Sequence, residues 1–428
     1  MSVSSSYFQN KNIINEETLR FEIHHLDLSL VNALRRLIIS HVETVGFRTE
    51  PHTKNTINII INTSSLHNEY LAHRLGMIPI GFADVKNYNP TEYKYVLNVQ
   101  NTTNQIIDIT TEYINVLKKS ASSRGEGREG GEGGEGREGG ERGDEFVAVS
   151  KTVRDTFFPP DPITKEYILI NRLKPDTSGK KLGEHLHIEA TAVVSNGKEN
   201  ARWSPVSESS FHNKIDDVKA NEVLRQIKEQ FKSQNNDSIT LAEEKALENR
   251  FKNFEVARHF HVNSKNEPNK FIFVIESIGI LKPKDIFLSA LGIVSQKLSN
   301  FLVHLNKETS QIVDLSVSEN YQNSVDIGIK YEDHTIGNLI QSHLNYYDEI
   351  KKEHIYKDKN DINFIGYLQP HPLDDKIVIR IGFTEDYELS RKAAGDFDRI
   401  SEVKKFLNNY VNNIILFCKE LAGEFEQF

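Results

Sequence analysis

Sulfur is scarce in this 428-residue sequence, which holds one cysteine, Cys418, and two methionines. A single thiol excludes internal disulfides and any cysteine cage around zinc, and it fits a reducing, intracellular compartment. Long apolar runs are missing too: none approaches the roughly 18 residues of a membrane span. The N-terminus, MSVSSSYFQNKNIINEE, has neither the basic start nor the apolar centre of a secretory signal. Positive charge is in deficit, with 61 acidic against 52 basic side chains and a net charge of −9. Broad binding to a phosphate backbone needs clustered Lys and Arg, so any work on nucleic acid is expected to run through partners. No Gly-rich phosphate loop, P-loop or acidic metal triplet occurs. Together these absences leave a soluble intracellular protein without a self-contained active site.

What is present is a repeat. Asp27 to Ile38 contains D-x-[S/T]-x-x-N-x-[L/I], and the pattern returns 306 residues later from Asp333 to Ile340. Each copy follows an alternating apolar run: Leu19, Phe21, Ile23, then Val325, Ile327, Ile329, Tyr331. Period two marks a half-buried strand, so the repeated unit is a strand leading into a helix. Ser29 and Thr335 are predicted N-caps, because a hydroxyl there accepts from an unpaired first-turn amide. Leu30, Val31, Leu34, Leu37, Ile38 and Val42 fall on one helical face, with Arg35 and Arg36 beside it. Gly337 is costly within a helix; its presence predicts close approach of another backbone, a second helix being the natural candidate.

Along the chain, strands are predicted at 19–26, 56–62, 167–173, 185–194, 271–280, 363–368 and 376–383, with short strands and turns over 93–117. Helices are predicted at 29–42, at 66–75 with Ser65 as cap and Gly76 as stop, at 283–305, and from about 402 to 425. Residues 214–257 read as charged helices with a polar break at 233–238. The helix from Pro283 carries Ile286, Leu288, Leu291, Val294, Leu298 and Leu302 on one stripe. Residues 122–145 consist almost wholly of Gly, Glu and Arg, and a segment without apolar side chains cannot offset its ordering entropy. A disordered insertion is expected there. Its 124–145 part holds eight acidic residues and four arginines, which argues against RGG-type nucleic-acid binding.

Candidate chemistry is thin. His185/His187 and His259/His261 have strand-face metal spacing, but neither pair has a Cys or a matching second pair nearby. Asp333, His334 and Thr335 suggest a triad only until the first copy is compared, where Asp and hydroxyl recur without the His. Cys418 sits among Ile414, Ile415 and Phe417, as a core residue would.

The residues Asn32 to Arg36 (NALRR) and Asn68 to Ile80 (NEYLAHRLGMIPI) resemble signature segments of the third-largest subunit of eukaryotic RNA polymerase II, of the archaeal D subunit, and more distantly of bacterial alpha. Gly197 to Val206 (GKENARWSPV) resembles a further segment of the eukaryotic and archaeal form, with Asn200 where a His is usual. Glu332 to Leu339 (EDHTIGNL) and Gly366 to Leu373 (GYLQPHPL) resemble the small eleventh subunit, or archaeal L. The resemblance implies both partners fused in one polypeptide. The implied fold is α+β, with two alpha-like dimerisation lobes forming an intramolecular pseudo-dimer and a mainly β insert in the first lobe.

The domains implied are 1–85 plus 258–309, an insert over 86–257, a linker at 310–322, and a second lobe over 323–428. The implied role is a non-catalytic assembly platform for the two large catalytic subunits and other small polymerase subunits, meeting DNA and RNA only indirectly. The large subunits are expected to meet Asn32, Arg35, Arg36, His73 and Arg74. The lobes are expected to meet through Leu34, Ile38, Thr335, Gly337, Asn338, Leu291, Leu298 and Phe417, with helices 283–305 and 402–425 packed together. Residues 81–100 lack the Cys-rich zinc loop of many cellular third subunits, so neither metal nor cofactor is expected. Neither a membrane nor a homo-oligomer is implied. Fused subunits of this kind resemble those of large DNA viruses, which would place the protein in host cytoplasm and virion. Two alternatives stand beside this reading. One is a regulatory nucleic-acid-binding protein acting through the Arg-containing insertion, and the other a free-standing hydrolase or metal enzyme using His185, His187 or His334.

Overall fold

Apolar alternation and carboxylate caps decide most of the elements in the computed structural model, which describes residues 6–120, 146–176, 182–234, 240–318, 321, 323–357, 361–393 and 398–428. The insertion expected to be disordered at 122–145 lies outside the described residues.

In chain order, β1 (Phe8–Ile13) and β2 (Thr18–His24) precede α1 (Leu28–Ser40), β3 (Glu43–Gly46), β4 (Ile57–Asn62) and α2 (Asn68–Gly76). Then come β5 (Tyr93–Gln100), β6 (Ile107–Thr110), β7 (Ile114–Lys119), β8 (Phe146–Ala148) and α3 (Lys151–Phe157). β9 (Leu169–Leu173), β10 (His185–Ala190), β11 (Val193–Asn196) and β12 (Val206–Asn213) lead to α4 (Asp217–Gln234) and α5 (Leu241–Arg250). β13 (Lys270–Ser277) and α6 (Pro283–Leu305) follow. The remainder is β14 (Val313–Val317), β15 (Ser324–Lys330), α7 (His334–His343), β16 (Tyr347–Asp348), β17 (Glu353–His354), β18 (Ile362–Leu368), β19 (Lys376–Phe383), α8 (Glu385–Ala393) and α9 (Arg399–Gln427).

Two compact units result, Met1–Val42 with Val206–Ser277 and Lys282–Phe428, and Glu43–Pro205 with Ile278–Leu281. They divide the chain at other points than the domains read from sequence. β3 pairs with β11 and Thr44 Oγ1 donates to the Trp203 carbonyl at 2.9 Å, so 43–85 groups with the insert. The α4–α5 segment is instead bracketed by β12 and β13, which pair with each other.

The larger unit contains the same architecture twice. Its antiparallel sheets have the orders β1-β2-β13-β12 and β14-β15-β19-β18, and β2–α1 corresponds to β15–α7. Leu19, Phe21 and Ile23 are buried on one face of β2, and Val325, Ile327 and Ile329 on one face of β15, as period two dictates. The α6 and α9 helices pack against each other, and α1 packs against both α6 and α7. Phe287, rather than Leu288, joins Ile286, Leu291, Val294 and Leu298 in the buried stripe of α6. On α9 the matching stripe is Leu407, Val411, Ile414, Cys418, Leu421 and Phe425. Burial pushes the Cys418 thiol up to about 12, so it serves as packing.

Some expectations need correction. Part of the stretch read as a linker is β14, in which Val313 is buried and which pairs with β15 along its length. The hairpin strand β1 carried no sequence signal, since beyond Phe8 its side chains are mostly exposed. The α6 helix is long and apolar enough to cross a membrane, contrary to the reading that no run was. Its length and composition are also those of a core helix, and ten of its side chains are buried in this unit. The smaller unit is mainly β, as read, with the sheet β4-β10-β5-β7-β8 over a core including Phe47, Tyr95, Phe157, Leu186 and Ile188. His67, not Ser65, caps α2, its ring nitrogen accepting from the Glu69 amide at 3.4 Å.

Two carboxylates, half-buried Glu22 and buried Glu402, give the larger unit an acid-sensitive component. Burial disfavours the charge of Glu22 and of Glu402, but hydrogen bonds outweigh it and hold both near 2. Lys214 and His24 bond Glu22 at 2.6 and 2.8 Å; Lys405, Arg391 and Tyr387 bond Glu402 at 2.9, 2.6 and 2.7 Å. A depressed folded pKa stabilises above the unfolded value near 4.5, and that stabilisation is lost as pH falls toward 2. Melts of Glu402→Gln between pH 6 and 2.5 are expected to show a weaker pH dependence than the parent; equal slopes would exclude this contribution.

Candidate assembly interface

Each repeated helix begins at a carboxylate. Asp27 Oδ1 accepts from the Ser29 amide at 2.8 Å, and Asp333 Oδ1 from the Thr335 amide at 2.8 Å. The caps are therefore the aspartates; Ser29 and Thr335 already lie inside the first turn. A carboxylate at this position satisfies an orphan amide and meets the positive end of the helix dipole, which explains why Asp recurs in both copies. Asp333 makes no catalytic contact with His334, which is exposed with its ring edge-on to Tyr367 at 5.8 Å.

The two motif helices are linked through one of these caps. Arg36 Nη2 donates to Asp333 Oδ2 at 3.1 Å, linking the first copy to the cap of the second. Burial opposes the Asp333 carboxylate, but the Thr335 and Arg36 contacts outweigh it and lower its pKa. Arg35 Nε donates to Asn32 Oδ1 at 3.0 Å. No carboxylate pairs with Arg35 among the described residues. Burial and the neighbouring Arg36 charge both lower the Arg35 pKa.

The other residues read as lobe contacts divide by position. Leu34, Ile38, Leu291 and Leu298 are buried on α1 and α6. The Phe417 ring lies edge-on to Tyr7 at 5.6 Å and near Tyr346 at 5.8 Å, so it touches both halves of the chain. Thr335 is buried and Asn338 half-buried on α7. The close approach expected at Gly337 is real, but its cause is corrected. A Cβ there would lie 2.5 Å from Tyr367 Cδ2, so the neighbour is a ring on β18 of the same lobe and not a second helix backbone.

His73 and Arg74 belong to the smaller unit. His73 is exposed, while Arg74 bonds the carbonyls of Ile170 and Leu169 at 2.9 and 2.8 Å, pinning β9. There too, Asn200 accepts from the Arg202 amide at 3.1 Å and starts the short turn that seats buried Trp203.

The histidine pairs are engaged locally. His185 Nε2 lies 2.8 Å from Asn98 Oδ1, His259 stacks on Phe251 at 5.6 Å, and His261 lies 3.5 Å from Asp216. No group of three or more potential ligands of the His, Cys, Asp or Glu type occurs among the described residues.

This doubled strand–helix unit is matched twice by one family description, the RNA polymerase Rpb3/Rpb11 dimerisation domain, over residues 20–298 and 324–423. The chain belongs to that family. Relatives include DNA-directed RNA polymerase II subunit RPB3 of Schizosaccharomyces pombe, 26% identical over 313 residues that cover 72% of this chain and 89% of that protein. The DNA-directed RNA polymerase subunit Rpo3 of Methanosphaera stadtmanae is 24% identical over 311 residues, covering 69% and 97%. The DNA-directed RNA polymerases I and III subunit rpac1 of Dictyostelium discoideum is 27% identical over 320 residues, covering 69% and 81%. Membership and relatives together support an assembly subunit of a DNA-directed RNA polymerase. The aspartate caps and the Arg36–Asp333 link are the features that motif spacing alone missed; recurrence of Asp at an interval of 306 was the available signal.

Proposed function

We propose that this chain fuses the two partners of an alpha-like pair, and that the paired lobes form a platform without a catalytic site of its own on which the two large catalytic subunits of an RNA polymerase assemble. One observation carries the reading: two matches to a dimerisation family lie in a single chain, and their helices α1/α7 and α6/α9 pack within one compact unit. Fusion makes the pairing intramolecular, at an effective concentration on the order of millimolar. Other small subunits complete the complex, and nucleic acid is reached only through it. The proposed domains remain a third-subunit-like half over 1–85 and 258–309, its insert over 86–257, a linker at 310–322 and an eleventh-subunit-like half over 323–428. The fused arrangement supports a viral source, with host cytoplasm and virion as the compartments.

Asn32, Arg35 and Arg36 on α1, with His73 and Arg74 on α2, are the proposed contacts to the large subunits. Arg35 is the sharpest probe, since no carboxylate pairs with it among the described residues, whereas reversing Arg36 would also set two acids against each other at Asp333. Arg35→Glu is expected to reduce copurification of a large subunit about tenfold or more, the scale of a broken interfacial charge pair, with an unchanged melting temperature. Normal recovery of both large subunits by a folded Arg35→Glu protein would refute the assignment.

A further inference from the structure

The repeated unit is alike in shape and unlike in charge. At the interval of 306 residues, Asp27 corresponds to Asp333, Arg35 to Gln341 and Arg36 to Ser342. On one side of the α1/α7 contact, Arg36 reaches the cap carboxylate Asp333. On the equivalent side, Ser342 is too short to reach Asp27, and its hydroxyl turns to Asn338 Oδ1 at 3.4 Å. A cavity of about 630 Å³ opens there, lined by Asp27, Asn269, Ser342, Glu349 and the edge strand β18 from Ile362 to Ile365, among others.

The lining carries more acidic than basic side chains. Asp27, Glu267 and Glu349 face it, against two basic groups, His25 and Lys265. Lys265 Nζ donates to the Asn345 carbonyl at 2.6 Å, and His25 is joined to Glu349. Asp27 is bonded by the amide and hydroxyl of Ser29, from its own helix, and no cation pairs with it among the described residues. Its neighbour His343 is fully buried with Nε2 unpartnered, and burial lowers its pKa against the opposing pull of the Asp27 charge. A second observation points the same way. Asn269 is 7% exposed; its Nδ2 donates to Glu349 at 3.1 Å, while its buried Oδ1 accepts from nothing. A buried acceptor without a donor is costly, and a carboxylate beside it calls for a group that is both cationic and rich in N–H. A guanidinium is that group.

We propose that this cavity receives an arginine carried by an extended segment of another polymerase subunit, occupying the place that Arg36 fills on the opposite side. The β18 strand, last in its sheet among the described residues, lines the cavity wall and gives such a segment a backbone to lie along. The inference rests on the polymerase-subunit reading and deepens it: the fused pair docks with two faces of opposite charge, one offering Arg35 and the other demanding an arginine.

The test co-expresses the full chain with the polymerase subunits of its source and measures the recovery of each subunit through a tag on this chain. Ser342→Arg supplies the missing guanidinium internally and is expected to cut recovery of at least one subunit about tenfold. Asp27→Asn keeps a side chain able to cap α1 and is expected to lower the same subunit severalfold. Undiminished recovery with folded Ser342→Arg and Asp27→Asn overturns the proposal while leaving the platform reading intact; if thermal melting shows Ser342→Arg misfolded, Asp27→Asn alone decides. Failure of the parent chain itself to recover any polymerase subunit brings down both.

Discussion

Phe287→Ala is expected to destabilise the larger unit by about 3–5 kcal/mol, the usual range for emptying a buried aromatic site. The side chain is fully buried on α6, with Phe425 of α9 at 4.3 Å, Phe21 at 5.1 Å, Phe273 at 5.7 Å and Phe8 at 5.8 Å. Those rings come from β1, β2, β13 and the far end of the chain, so one deletion removes contacts that hold α9 to the first lobe. Collapse into the vacancy is hindered because the four surrounding rings brace one another from four elements, and residual cavity adds to the lost transfer energy. Denaturant unfolding measures the effect. Leu416→Ala on the outer face of α9, where the residue is 62% exposed, is the control and is expected to change stability by no more than about 0.5 kcal/mol. A loss below about 1 kcal/mol for Phe287→Ala would mean that the aromatic cluster is not a main support of the α6–α9 contact.

Tyr7→Phe is expected to cost about 2–3 kcal/mol although it removes a single oxygen. Tyr7 precedes β1 in the first lobe, and its hydroxyl donates to Asp348 Oδ2 in the second, 341 residues away. Both side chains are almost wholly buried. The other carboxylate oxygen, Oδ1, accepts from the amides of Ile350 and Lys351 at 2.9 and 3.1 Å. Without the phenol, Oδ2 is left in a site from which water is largely excluded, and an unmet charged acceptor costs more than a neutral one. Burial, then the Asp348 hydrogen bond, raise the Tyr7 pKa well above its ordinary value, so the donor persists through the working pH range. A double-variant cycle with Asp348→Ala tests the attribution: coupling near 2 kcal/mol is expected, and additive losses would place the cost elsewhere.

These two contacts were not legible in advance. Tyr7 lies in a polar N-terminal stretch with no periodicity, and β1 gains its meaning from pairing with β2 and from the C-terminal end of α9, which no local pattern encodes. By contrast, α6 begins at Pro283 and ends at Leu305, where the proline, the acidic first turn and the apolar stripe placed it. The β19 strand likewise runs from Lys376 to Phe383, as alternation required. The capping error at Ser29 and Thr335 has a plain cause: Asp and Ser/Thr are comparable caps, and the spacing D-x-[S/T] allowed either. Gly337 misled because a missing side chain reports that something is near without naming it.

The sequence alone determined the α+β elements, the doubled strand–helix unit and, through its motif residues, the family. Those features depend on near neighbours, where hydrophobic period, caps and stops act over one or two turns. Only tertiary structure decided which carboxylate Arg36 meets, which ring fills the space over Gly337, where the insert parts from the lobes, and that Asp27 faces a cavity with no cation paired to it among the described residues. Each depends on groups hundreds of residues apart, brought together by burying apolar faces that are indifferent to which charges arrive with them.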